Sequence, residues 1–192
     1  YSVTFNNILE ADYATAEAYC RFREDAVKHG VRHFLEIFNP NAPKNLSPEA
    51  MPHFVNDSII RLLAGQSSAE RPLFLKMPFN GTKALEELPS HDASIAVGIL
   101  GGSAGTTRDT YELLAQGERA GARVALFGRK INLAESPLDL LALFRPVIEG
   151  SISAEDAVKS YHATLAKKNI AARRPLADDL VITEAVLEGH KG

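Results

Sequence analysis

Apolar positions along the chain switch between two spacings. Short apolar or alternating runs occupy His33 to Phe38, Leu73 to Met77, Ser94 to Leu100 and Arg123 to Phe127, and the stretches between them repeat at helical spacing. Ala14 to His29 carries Ala16, Tyr19, Cys20, Phe22, Ala26 and Val27 at that spacing and stops at Gly30. Phe54 to Ala64 sets Val55, Ile59, Leu62 and Leu63 on one face before Gly65, and a short helix is expected near Lys83 to Leu88. Thr106 or Thr107 caps a helix to Ala120, with Asp109 and Glu112 in its first turns and Gly121 as the stop. Ser136 before Pro137 opens a helix to about Ile148, and Ser153 with Asp156 resembles a capping box for one to about Lys168.

Strands alternating with helices predict an α/β protein whose parallel sheet is joined by crossover helices. Val3 to Phe5 adds the tail of a fifth strand. The segment after Ala171, with Arg173-Arg174-Pro175 and the end Glu188 to Gly192, is expected to be loosely packed, which gives a main domain over 1–170 and an extension over 171–192.

Composition narrows the function classes. With 192 residues and 45% hydrophobic, the chain can bury a substantial core. A net charge of -3 with scattered basic residues gives no stripe for nucleic acid and no polybasic membrane anchor. No run approaches the roughly 20 apolar residues of a membrane span, and Tyr1-Ser2-Val3-Thr4 does not open a signal peptide, so a cytoplasmic location is expected. Cys20 is the single cysteine, which rules out an internal disulfide and a thiolate metal cluster, and it is expected to be a small core residue. No His/Asp/Glu set has metal spacing, so no metal is expected.

Lys76 stands alone in the apolar run Leu73-Phe74-Leu75-Lys76-Met77-Pro78-Phe79. An ammonium among apolar neighbours is costly unless it finds a partner or loses its proton, and desolvation of this kind is how proteins make an amine nucleophile. Gly101-Gly102-Ser103-Ala104-Gly105-Thr106-Thr107 follows a strand and opens a helix, which lets backbone N–H groups approach an anion. It is neither a Walker loop nor a GxGxxG fingerprint. A second glycine turn, Phe127-Gly128-Arg129-Lys130, follows one βα unit later, and Arg129 is suited to pairing with a phosphate.

A lysine ending one strand (LFLKMPFNG), Gly-Gly after the next (VGILGGSAG) and Gly-Arg after the third (VALFGRKI) resemble the C-terminal half of a DhnA/DeoC-type class I aldolase barrel, over about residues 33 to 150. The resemblance implies a (β/α)8 barrel represented from about strand 4 or 5 to strand 8. It implies Lys76 as the Schiff-base lysine, with Gly101, Gly102 and Ser103 as the first phosphate loop and Gly128 and Arg129 as the second. It also implies a phosphorylated ketose or related carbonyl substrate, reversible carbon-carbon cleavage or formation, and no dissociable cofactor.

The family's fifth strand commonly ends in a Tyr before Pro that serves in proton transfer; here Asn39 precedes Pro40. Glu36 is the substitute candidate, because alternation points it inward with Phe34 and Phe38 while Leu35 and Ile37 face the helices. Asn39, Asn80 and Lys83 are candidate pocket residues, Lys83 as a second cation near Lys76. His33 and His53 sit at element starts, away from the strand ends where such barrels work. The rival readings are a barrel that binds phosphosugars without turnover and an inactive half-barrel fragment. Open sheet edges and inward faces around Phe34, Phe38, Phe74 and Val97 lead to an expectation of self-association, or of pairing with an N-terminal half absent from a chain that begins at Tyr1.

Overall fold

The computed structural model describes residues 1–102 and 105–188 and falls into two compact units, Tyr1–Ile99 and Leu100–Gly192. The first unit alternates β1 (Ser2–Thr4), α1 (Leu9–Lys28), β2 (Leu35–Phe38), α2 (Met51–Leu63), β3 (Leu75–Met77) and α3 (Thr82–His91), and closes on β4 (Val97–Leu100), whose last residue opens the second unit. The strands pair in parallel in chain order, β1 on β2, β2 on β3 and β3 on β4. β2, β3 and β4 are shorter than their apolar runs and take the C-terminal end of each, and β1 lies one residue earlier than expected.

Alternation decides which face is which. Val3, Leu35, Ile37, Leu75, Met77, Val97 and Ile99 are buried on one face, in a core shared with Tyr19, Ile59, Leu85 and Leu88 from the helices. On the other face, Phe34 and Phe38 are exposed, and Phe34 stacks on Phe74 with ring centroids 5.0 Å apart. Val97 therefore departs from its expected place beside them: it is one residue out of phase and lies in the core. Cys20 also departs from expectation. It is half-buried rather than core, with its Sγ 3.5 Å from an Arg23 guanidinium nitrogen.

α1 starts five residues before the apolar pattern announces it. Its N-cap, Ile8, has no capping side chain; Asp12 reaches back instead to accept the N–H groups of Asn6 (2.8 Å) and Ile8 (3.1 Å). At the other end Gly30, with φ +66°, lets the Val31 N–H return to the Ala26 carbonyl at 2.8 Å.

The second unit contains α4 (Thr107–Arg119), β5 (Val124–Leu126), α5 (Gly128–Asn132), α6 (Pro137–Ala142), α7 (Phe144–Ile148), α8 (Ala154–Lys167), α9 (Leu176–Asp179) and α10 (Ala185–Glu188). Tyr111, Leu113, Leu114, Phe127, Ala157, Val158 and Tyr161 form its core. The single helix expected from Ser136 to Ile148 is broken at Leu143. Pro146 supplies no N–H for the Ala142 carbonyl four residues back, and its ring crowds that carbonyl. The turn expected at Gly128-Arg129 is the first turn of α5.

Beyond Ala171, residues 171–178 are exposed, but the described stretch from Val181 to Leu187 is tied down. Three buried side chains fasten it: Thr106 Oγ1 donates to the Val181 carbonyl (2.7 Å), Asp109 accepts the Thr183 N–H (2.8 Å) and hydroxyl (2.6 Å), and Gln116 Nε2 donates to the Leu187 carbonyl (2.9 Å). Sequence spacing gives no sign of such contacts, since the partners lie more than 70 residues apart.

Candidate active site

Register places a polar row across the first unit. Ser2 is opposite Glu36, Glu36 opposite Lys76, and Lys76 opposite Gly98, all on the face that the helices leave uncovered. Side chains directly opposite in a ladder meet. Lys76 Nζ lies 2.6 Å from Glu36 Oε1, and the Ser2 hydroxyl donates to Glu36 Oε2 at 3.0 Å. Gly98 contributes no side chain on the far side of Lys76, so the amine is flanked by a carboxylate on one side only. The pair is part-exposed, 26% for the Lys76 side chain and 17% for that of Glu36, which leaves it open to a small molecule.

Burial pushes the Glu36 carboxyl up, but the hydrogen bonds from Lys76 and Ser2, with the Lys76 charge, outweigh it and hold the group below the usual carboxylate range. Glu36 is therefore an ionised acceptor beside the only lysine of its strand. The sequence suggested an ammonium in search of a partner; the partner is the carboxylate one strand over.

Asn39 and Asn80, just past the ends of β2 and β3, form a reciprocal amide pair, each Nδ2 donating to the other's Oδ1 at 2.8 and 2.9 Å. Lys83 is exposed in the first turn of α3. His33 is taken up by packing: its Nε2 is 3.0 Å from the buried Tyr19 hydroxyl. Burial, then the charges of nearby cations including Arg23, lower its pKa, while desolvation raises that of Tyr19 to about 12.

The glycine turns belong to the second unit. Gly101 donates its N–H to the Leu126 carbonyl at 3.4 Å, and a Cβ there would stand 3.2 Å from the Phe127 Cα, so a side chain at this position would crowd Phe127. Gly102 has φ +62°, and its carbonyl accepts from the Arg129 guanidinium at 3.1 Å, which brings the two expected loops together. A Cβ on Gly128 would meet open space. Ser103 lies outside the described residues.

Thr106 caps α4 through a box with Asp109: the Thr106 hydroxyl accepts the Asp109 N–H (3.1 Å) and Asp109 Oδ2 accepts the Thr106 N–H (2.8 Å). Burial pushes Asp109 up, and its bonds from Thr183 and Thr106 overcome that and hold it ionised. The next N–H, of Thr107, goes to Asp179 (2.8 Å), which also meets His162 Nε2 at 2.9 Å; these bonds likewise outweigh burial and keep Asp179 low. Lys130, whose side chain is 1% exposed, pairs with Glu184 at 3.1 Å. Sequence reasoning missed Lys130, Asp179 and Glu184. The last two lie in the segment that the sequence predicts to be loosely packed, and Lys130 directly follows Arg129 in the Gly-Arg turn.

No protein-family model matches the chain, and no curated protein matches it. Solved structures do. An archaeal fructose 1,6-bisphosphate aldolase superposes with a TM-score of 0.59 at 18% identity, over 78% of this chain and 57% of that one. A structure from work on the mechanism and reaction intermediates of the Schiff-base-forming fructose-1,6-bisphosphate aldolase gives 0.59 and 18%, over 77% of this chain and 56% of the other. The fold is an α/β partial barrel like the matching part of those structures. The chain spans a little over half the length of either structure, and the likeness extends to the α/β partial-barrel architecture, not to a shared activity. No helix among the described residues is long and apolar enough to cross a membrane.

Proposed function

We propose that this chain is a Schiff-base (class I) aldolase-like lyase of the DhnA/DeoC type, acting on a phosphorylated ketose or related carbonyl compound. The observation that carries the reading is the Lys76–Glu36 pair, 2.6 Å apart on the open sheet face. In this scheme Glu36 takes a proton from the Lys76 ammonium, and the freed lone pair of Nζ adds to the substrate carbonyl carbon. Protonated Glu36 returns the proton to the carbinolamine hydroxyl, which leaves as water. The iminium then accepts the electron pair of the breaking carbon-carbon bond while Glu36, again a carboxylate, takes the proton of the β-hydroxyl, giving an enamine and an aldehyde, and the reverse sequence forms the bond. No dissociable cofactor enters these steps.

The second unit gives a separate ground for a phosphorylated ligand. Gly101, Gly102, Ser103, Gly128 and Arg129 are the proposed phosphate seat, supported by the Arg129 contact with Gly102. Asn39, Asn80 and Lys83 are proposed to line the approach to the lysine.

A binding protein without turnover is the second reading. Asn39 favours it, since an amide cannot serve as a base and this one is held by Asn80. Incubation with a panel of phosphorylated ketoses and aldehydes, reduction with borohydride and peptide mapping separates the two. An adduct on Lys76 is expected for the lyase; labelling elsewhere, or none, supports binding alone.

A further inference from the structure

A pocket of about 70 Å³ in the second unit is lined by Arg129, Lys130, Arg173 and Arg174 against only two carboxylates, Glu135 and Asp179. The scheme above uses only Arg129 of these, and Gly101 and Gly102 are not among the lining residues. Its size is a fraction of the roughly 300 Å³ at which whole-ligand sites begin, so it suits one small polar group.

Both carboxylates already have donors. Asp179 holds the Thr107 N–H and His162, and Glu135 accepts the Arg173 N–H at 2.8 Å and the Tyr161 hydroxyl at 3.1 Å. Lys130 is likewise committed, to Glu184. Arg174 stands 3.6 Å from Asp179, a loose contact that leaves most of its fork unused. Arg129 spends one N–H on the Gly102 carbonyl, and no salt bridge among the described residues involves the side chain of Arg129 or Arg173. Three guanidinium groups thus line a small concavity whose acids are satisfied from elsewhere. Planar forks of this kind are suited to bidentate recognition of tetrahedral oxyanions.

We infer that this pocket is an anion site distinct from the glycine-loop seat, taking a phosphate-type dianion on Arg173 and Arg174 of the C-terminal segment, with Arg129, already assigned to that seat, among its lining residues. It stands whether or not Lys76 forms an imine. The ligand is inorganic phosphate or the phosphoryl group of a larger molecule, and the two share this chemistry.

The test is calorimetric titration of the full chain with inorganic phosphate at low ionic strength, then with glycerol 3-phosphate. Arg173→Ala/Arg174→Ala should lose one phosphate per chain, or bind it about tenfold more weakly or worse, as for a lost charge-assisted hydrogen bond. If the glycine-loop seat also holds phosphate, the parent binds two and the double variant one; if that seat fails, the counts are one and none. An unchanged count and affinity in the double variant overturns the inference. Glycerol 3-phosphate competing for the site identifies a phosphoryl seat, and its exclusion identifies a site for the free ion. Phenylglyoxal modification of the unmutated protein gives a readout independent of any variant: phosphate should protect Arg173 and Arg174, and equal labelling with and without phosphate counts against the site.

Discussion

Two lysine–glutamate pairs, one in each unit, look alike on paper and differ in what they can do. Lys76–Glu36 is the tighter at 2.6 Å yet lies on an uncovered sheet face, whereas Lys130–Glu184 spans 3.1 Å with the lysine side chain 1% exposed. The sequence singled out Lys76 as the buried lysine because its neighbours are apolar. Burial instead falls to Lys130, in a stretch that begins with a polar turn. An apolar strand seals only one of its faces here, and Lys76 points to the other. A closed pair fastens structure; an open one stays accessible to solvent.

The largest expected effect is at the open pair. Lys76→Met should abolish borohydride trapping and turnover while changing stability by no more than about 1 kcal/mol, since Glu36 keeps Ser2 and access to water. Adducts that persist in this variant would remove Lys76 from the chemistry. Lys130→Met should do the opposite. It strands Glu184 beside a buried apolar side chain, and because Glu184 retains 23% exposure the cost should be about 1–3 kcal/mol rather than the full penalty of a sealed charge. Thermal melting and proteolysis within 175–188 would show it, with trapping at Lys76 retained. A Lys130 variant as stable as the parent would mean the pair fastens nothing.

The glycines of the second unit sharpen the same contrast between support and chemistry. Gly101→Ala sets a Cβ 3.0 Å from the Phe127 ring and 3.2 Å from its Cα, and Phe127 is itself buried against Phe144 with ring centroids 5.9 Å apart. A loss of about 1–3 kcal/mol is expected in denaturant unfolding. Gly128→Ala meets nothing and should fall within about 0.5 kcal/mol of the parent. Equal effects at the two positions would refute the packing account of Gly101.

How much of this was legible follows from the range of each interaction. The α4 cap was visible because Thr106 and Asp109 are three residues apart, and the inward direction of Glu36 because alternation is local. The partner of Lys76 was within reach too, since parallel pairing aligns β2 with β3 and sets Glu36 opposite it. The early start of α1 was hidden because Asp12 caps it from inside. The break at Leu143 has a local cause in Pro146, which helical spacing of apolar residues does not register. The order of the C-terminal segment was not, because Asp109 serves a local cap and a distant strap at once, and only the first role has a sequence spacing.

The smallest expected effect tests whether the open pair is a pair at all in solution. Glu36 is held below the ordinary carboxylate range, so its ionised form is favoured by folding. For a depressed carboxyl the stabilisation is complete above the unfolded value, about 4.3 for Glu, and fades as pH falls through the lower folded value. Compared with Glu36→Gln, the protein should therefore be more stable by less than about 1 kcal/mol above pH ~5, the exposure of the pair keeping the figure small, with the gap closing in acid. Lys76→Met should raise the Glu36 midpoint, read by carboxyl NMR, but not all the way, because Ser2 still donates to it. A midpoint indifferent to Lys76 would show that the two groups do not share a proton's worth of interaction, and Glu36 could not then serve as the base that frees the amine.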